Sequence, residues 1–165
     1  MVKELIYSDL PLAAEVIRTS FATVAKEFNL TEQNCPKHTS FIRPEKLQKY
    51  FNQGLLMYGF YEDERLIGYV SLSKKEDRVF ELHSLAILPE YRHKGYGKQL
   101  LDFCKVKVKE LCGDKITIGI IEENIVLKDW YTANSFVHTG TKKFDHLPFT
   151  VGYMMWEIIP NKDYV

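Results

Sequence analysis

"AILPEYRHKGYGKQL", residues 86–100, leaves a strand-like apolar run, passes Pro89 and a cluster of cations around two glycines, and enters an amphipathic segment. Arg92, His93, Lys94 and Lys98 surround Gly95 and Gly97. Flexible backbone, positive charge and a helix start in one place suit a phosphate, because free N–H groups and the helix dipole both favour negative charge there. A Walker loop using Gly97 and Lys98 needs glycine at 92 and Ser or Thr at 99, where the chain has Arg92 and Gln99. A dinucleotide fingerprint beginning at Gly95 needs a third glycine where Leu100 stands. What remains is R-x-x-G-x-G, set between a strand and a helix.

Working outward, "VFELHSLAIL" (79–88) reads as the strand that feeds the loop. Strict alternation puts Phe80, Leu82, Ala86 and Leu88 on one face, and Glu81, His83, Leu85 and Ile87 on the other. Upstream, residues 55–73 form two β-rich runs joined by a polar turn at 62–65, an antiparallel hairpin. Before it, Pro44 starts a short helix that Gly54 stops, and residues 29–43 have no period and read as a long loop. The chain opens with a strand over Val2 to Tyr7. A helix near 9–28 follows, with Ser8 or Asp9 as cap and Pro11 in its first turn.

Downstream of the glycines, Leu100, Leu101, Cys104, Val108, Leu111 and Cys112 line one side of a helix. Lys98, Asp102, Lys105 and Lys109 line the other, and Gly113 ends it. "KITIGII" (115–121) is a buried strand, 124–134 a helix, and 136–144 and 150–159 two closing strands joined by "DHLPF". This order indicates an α/β sandwich around a mixed sheet.

The 165 residues suit one domain, 1–165. Lys plus Arg (22) equals Asp plus Glu (22), which argues against a nucleic-acid partner. No apolar run approaches a membrane span, and the first residues lack a secretory apolar segment, so a cytoplasmic protein with no membrane partner is expected. Three cysteines, Cys35, Cys104 and Cys112, form no CxxC pair and fit reduced thiols; no metal site is expected.

Residues 87–97 resemble the signature of the GNAT superfamily of acyl-CoA-dependent N-acetyltransferases. There a strand ends in an apolar-x-Pro segment, and [Q/R]-x-x-G-x-[G/A] opens a helix. A second motif resembles the family's N-x-x-A-x-x-L-Y-x-x-x-G-F: Asn124, then Trp130-Tyr131, closed by Phe136. Leu127 stands where Ala is usual, and Ser135 where Gly is usual, leaving Asn134 to supply a left-handed helix end. On the loop alone, a plain strand–helix turn with solvated cations would do. Asn124 and Tyr131 at the family's spacing favour the resemblance, which spans nearly the whole chain.

The resemblance implies a mixed, mostly antiparallel seven-stranded sheet with helices on both faces, splayed between its fourth and fifth strands. Acetyl-CoA, as cosubstrate, would lie in that splay. Backbone N–H groups from Arg92 through His93, Lys94, Gly95, Tyr96 and Gly97 would hold its pyrophosphate, with Arg92, Lys94 and Lys98 adding charge. The strand edge at Leu85, Ala86 and Ile87 would pair with the pantetheine, and Asn124 would bond one of its amides. The Leu85 N–H would polarise the thioester carbonyl.

A primary amine has a pKa of about 10.4 and needs a base. Glu81 stands where family members often carry a catalytic glutamate, and should face the same way as Leu85. His83 is a relay or substrate contact. Tyr131 would protonate the leaving thiolate, and attack would be direct, because Cys104 and Cys112 are spent on a helix's core face and Cys35 has no evident base beside it. The alternative is a non-catalytic acyl-CoA-binding module acting as a regulator or scaffold. The acceptor amine is open: loops 29–43 and 145–149, with His38, Tyr50, Asp145 and His146, would wall its site and suit a cationic amine, a polyamine, an amino sugar or a peptide terminus alike. Monomer and homodimer are both compatible with the sequence.

Overall fold

The hairpin expected at residues 55–73 forms as β2 (Leu56–Glu62) and β3 (Arg65–Glu76). It lies at the heart of a seven-stranded sheet in the computed structural model, which describes residues 1–159. Asp63 and Glu64 both take left-handed backbone, the twist a two-residue hairpin turn requires. The single domain expected over 1–165 runs on into residues 160–165, outside the described residues.

The remaining strands are β1 (Val2–Glu4), β4 (Val79–Ile87), β5 (Lys115–Ile121), β6 (Val137–Lys143) and β7 (Thr150–Glu157). Their order is β1-β2-β3-β4-β5-β7-β6. Every neighbouring pair is antiparallel except β4 and β5, which run parallel. That one parallel pair is held over three rungs only: Val79–Lys115, Phe80–Ile116 and Glu81–Thr117. Beyond Glu81 the two strands part, and each presents an unpaired edge to the gap while its other edge stays paired. This is the expected splay.

Among the described residues four α-helices cover the sheet: α1 (Leu10–Glu27), α2 (Pro44–Asn52), α3 (Tyr96–Glu110) and α4 (Ile125–Ala133). α1 lies close on β3 and β4, because Ala13 and Ala14 at its buried stripe let the backbones approach. Leu100, Leu101, Cys104 and Val108 of α3 are fully buried against the opposite face. Beside α3, α4 is tied by Lys105 Nζ, which donates to the Asn134 carbonyl at 2.7 Å. A smaller cluster of Ala25, Leu30, Cys35 and Ile121, with Leu147 and Phe149 against it, joins the loop after α1 to the β6–β7 connection.

Several local expectations change. The first strand is shorter, since Tyr7–Asp9 already turn as a 3₁₀ segment, and Asp9 stands at the N-cap of α1 without a side-chain capping bond. The Asp9 carboxylate accepts instead from the Ile6 N–H at 2.9 Å. α3 ends at Glu110, so Leu111 and Cys112 are exposed rather than on its core face. The left-handed residue after it is Cys112 (φ 61°), not Gly113. Gly113 is required for space, because a Cβ there would stand 2.6 Å from Val108 and 2.8 Å from Phe80. After α4 the left-handed residue is Ser135 itself (φ 70°), and Asn134 is not.

Candidate active site

β4 carries a β-bulge that the alternation reading missed. Ser71 pairs with His83 and Tyr69 with Ala86, so Ser84 and Leu85 together oppose Val70, and Ser84 takes φ 53°. The extra residue shifts the phase of every side chain after it. Glu81 and His83 face α1 and α2 with Ser71, Ser73 and, beyond the bulge, Ala86. Leu85 and Ile87 point the other way, toward α3, where each comes within 3.9 Å of a Cβ built on Gly97. The expectation that Glu81, His83, Leu85 and Ile87 share a face, and that Ala86 does not, is therefore corrected. The bulge also leaves Leu85 without a ladder partner on β3, beside the unpaired edge of the splay.

Pro89 starts a 3₁₀ turn, and His93 (φ 62°) and Gly95 (φ 82°) then coil the backbone into the N-terminus of α3. The Gln99 N–H is the first to bond back, at 3.1 Å to the Gly95 carbonyl. The N–H groups of His93, Lys94, Gly95, Tyr96, Gly97 and Lys98 have no partner among the described residues. A Cβ built on Gly97 would stand in ordinary contact with Trp130 (3.6 Å), Ile87 and Leu85 (3.9 Å each), whereas nothing lies within 4 Å of one built on Gly95. Six free donors at a helix N-terminus, next to an unpaired strand edge, form an anion cradle.

Arg92 does not belong to that cradle. Its N–H bonds the Pro89 carbonyl at 3.3 Å. Its guanidinium is turned inward, with Nε donating to Ile87 O (3.2 Å), Nη1 to Thr23 Oγ1 (3.0 Å) and Nη2 to Ser20 O (2.7 Å). Arg92 straps the loop to α1 and to the end of β4. Lys94 stays exposed with its Nζ 5.2 Å from the Tyr91 ring centre, and exposed His93 makes no side-chain hydrogen bond among the described residues. Tyr96 donates its hydroxyl to Glu62, and Lys98 pairs with Asp102.

Across the gap, the Asn124 side-chain oxygen accepts from the Leu127 N–H at 3.2 Å, capping α4. Its acceptor is spent locally, which leaves the amide NH₂ as the group available to a ligand. Tyr131 is 5 % exposed, wedged between Trp130 and Phe136 at ring separations of 4.9 and 5.2 Å. Burial, with the Cys104 sulfur adding, pushes its phenol well above the ordinary value, so it holds its proton at neutral pH. Trp130 reaches toward Gly97, which brings Tyr131's helix against the phosphate-loop side of the gap.

On the other face of β3 and β4 lies a cavity of about 870 Å³, roofed by the loop after α1 and by α2. His38, Phe41 and Tyr50 line the roof, and Tyr69, His83 and Ser84 the floor. His38, in the loop after α1, and Tyr50, on α2, both line this cavity. Asp145 and His146 do not line the cavity; His146 stacks edge-on against Phe144. Glu81 is not among its lining residues either. Ser84, at the bulge, is the point where the cavity meets the β4 edge. Ser73 Oγ lies 2.8 Å from His83 Nε2. Burial lowers the His83 pKa, against an opposing pull from Glu81, so the imidazole is neutral at pH 7 and able to accept a proton.

Two of the three thiols are held inert by burial. Cys35 is 3 % exposed with its pKa raised by burial, and Cys104 is buried and pushed up to about 12. Cys112 sits before β5, at the closed end of the gap. Among the described residues no cluster of His, Cys, Asp or Glu could hold a metal ion, and no helix is long and apolar enough to cross a membrane.

Comparison with known proteins matches residues 22–136 to the family described as acetyltransferase (GNAT). An uncharacterized N-acetyltransferase in the pepI 3' region of Lactobacillus delbrueckii subsp. lactis is 24% identical over 152 residues, covering 87% of this chain and 85% of that protein. The PaiA N-acetyltransferase of Thermoplasma acidophilum, solved with coenzyme A, superposes with a TM-score of 0.78 at 24% identity, covering 96% of this chain and 98% of that one. The ribosomal-protein-S18-alanine N-acetyltransferase of Escherichia coli gives 0.77 at 12% identity, over 100% and 97% of the two chains.

Proposed function

The chain belongs to the acetyltransferase (GNAT) family, and from that premise we propose that it moves the acetyl group of acetyl-CoA to a primary amine by direct attack in a ternary complex. The observation that carries the reading is the cradle of free N–H groups at His93–Lys98, opening on the unpaired edge of β4. A pyrophosphate fits the donors, and an extended pantetheine arm fits a strand edge with no partner. The thioester supplies an activated acetyl group. Everything else is the work of this chain's residues.

The Leu85 N–H, at the bulge and beside the open edge, would be the donor to the acyl oxygen. The amine enters from the cavity, whose floor ends at Ser84, one residue away. His83 lines that cavity and Glu81 does not, so His83 is the group placed to take the amine's proton, and Glu81 tunes it from two residues before. Ser73 orients the ring through Nε2. Tyr131, held protonated by burial, is the acid for the departing thiolate. Cys35 and Cys104 are buried with raised pKa values, and Cys112 sits at the closed end of the gap, so direct attack needs no acyl-enzyme.

Two variants test this together. Gly97→Val, with its folding checked by circular dichroism, adds a Cβ that meets only ordinary contacts within the protein and γ-methyls that crowd the helix N-terminus where the phosphate would sit. Calorimetry should show acetyl-CoA affinity falling at least tenfold, about 1.4 kcal/mol. Tyr131→Phe should keep that affinity and lose about 10²-fold in the rate of CoA release with a primary amine. Unchanged affinity in a folded Gly97→Val protein removes the phosphate cradle. Tight acetyl-CoA binding with no amine turned over by the wild type makes the chain an acyl-CoA-binding module instead.

A further inference from the structure

The cavity that receives the amine has a cationic wall. Lys37, Arg43, Lys46 and Lys74 line it, against one carboxylate, Glu45. The chain as a whole carries no net charge, so this is a local concentration and not a general bias. Lys37, Arg43 and Lys46 have no ion-pair partner among the described residues. The fourth, Lys74, meets only Asp77, at 3.8 Å, whose side chain is 91% exposed. The four come from three places, the loop after α1, the start of α2 and the end of β3, and they converge on one space. None of the cradle residues at 93–98 lines that space, so its charge is not part of the anion site at α3.

An acceptor amine must present a neutral nitrogen at Ser84, and the rest of the molecule then lies along this wall. A second ammonium there would face several cations with one carboxylate to offset them. A carboxylate or phosphate would take charge-assisted hydrogen bonds from Lys and Arg. The rings of Phe41, Tyr50 and Tyr69 can pack against an apolar spacer between the two ends. We infer that the acceptor is a primary amine bearing an anionic group, a carboxylate or a phosphate, and not a polyamine. This rests on the reading of the cavity as the acceptor site of an acetyltransferase.

The test uses primary amines of similar size that differ chiefly in the charge of the far end. These are 4-aminobutyrate and O-phosphoethanolamine (anionic), 4-amino-1-butanol (neutral) and 1,4-diaminobutane (cationic). Binding to the CoA-loaded protein is measured by calorimetry, and acetyl transfer by CoA release. At least one anionic probe should bind roughly tenfold or more tighter than the diamine at low salt, and the better of the two identifies the anion. The gap should shrink to about threefold or less in the double variant Arg43→Gln, Lys46→Gln, whose positions are exposed and outside the core, and also in high salt. Equal binding, tighter binding of the diamine, or no binding of either anionic probe overturns the inference. Binding in the expected order without any transfer leaves the charge assignment standing and removes the acetyltransferase reading.

Discussion

His83 and Glu81 stand two residues apart on one face of β4, and their pH behaviour separates them. Burial holds the His83 pKa below its ordinary 6.5 and Glu81 pulls it back up. If His83 is the base, the acidic limb of kcat/KM falls below pH 6.5 in the wild type. Glu81→Gln removes a charge that favours the imidazolium, so it should move the limb to still lower pH and keep activity at neutral pH. His83→Gln should abolish the limb. A limb that survives His83→Gln but disappears in Glu81→Gln gives the role to Glu81. Arg92 shows what a sequence cannot say at this scale. R-x-x-G-x-G puts a guanidinium near a phosphate loop, but three acceptors on α1 and β4, more than 60 residues away for two of them, turn it inward. Asn124 is similar: its spacing marks the start of α4, and its side-chain oxygen is used for that cap.

At the scale of the element, one residue in β4 decides which side chains meet the cavity. Period-two reading assumes an unbroken pleat, and nothing in "LHSLAI" announces the extra residue, since Ser is an unremarkable strand member. Ser84 at φ 53° is in a region that β-branched side chains avoid. Ser84→Gly should keep both the bulge and the activity. Ser84→Val should destabilise by about 1–2 kcal/mol in urea unfolding and slow acetyl transfer, because relaxing the strain re-aims the Leu85 N–H. A Val variant as stable and active as the wild type would mean the bulge is not held in this form. Helix ends were the other weak point. Gly113 looked like a stop signal, but Cys112 takes the left-handed turn, and the glycine is there because Phe80 and Val108 leave no room for a Cβ.

For the whole molecule, the periodicities were enough: seven strands, four helices and their order were legible from alternation, amphipathic stripes and turn residues. The shape of the acceptor cavity was not. Lys37 and Lys74 lie 37 residues apart in sequence and become neighbours across one space only after α2 folds over β3. A charge count of zero concealed them. The three-rung junction of β4 with β5 has a mechanical meaning as well. Without a ligand, β1–β4 and β5–β7 are two plates fastened along a short hinge, and anything extended that lies in the gap is a splint across both. Saturating acetyl-CoA, at 100 times its Kd, should therefore add about 2.7 kcal/mol to unfolding. Amide hydrogen exchange should slow on both sides of the gap, at His83–Ile87 and at Ile118–Ile121. Slowing confined to one plate would show that the ligand does not bridge them. Because one core joins the two plates, the splint should stiffen the open end of the gap first, where β4 and β5 share no rung.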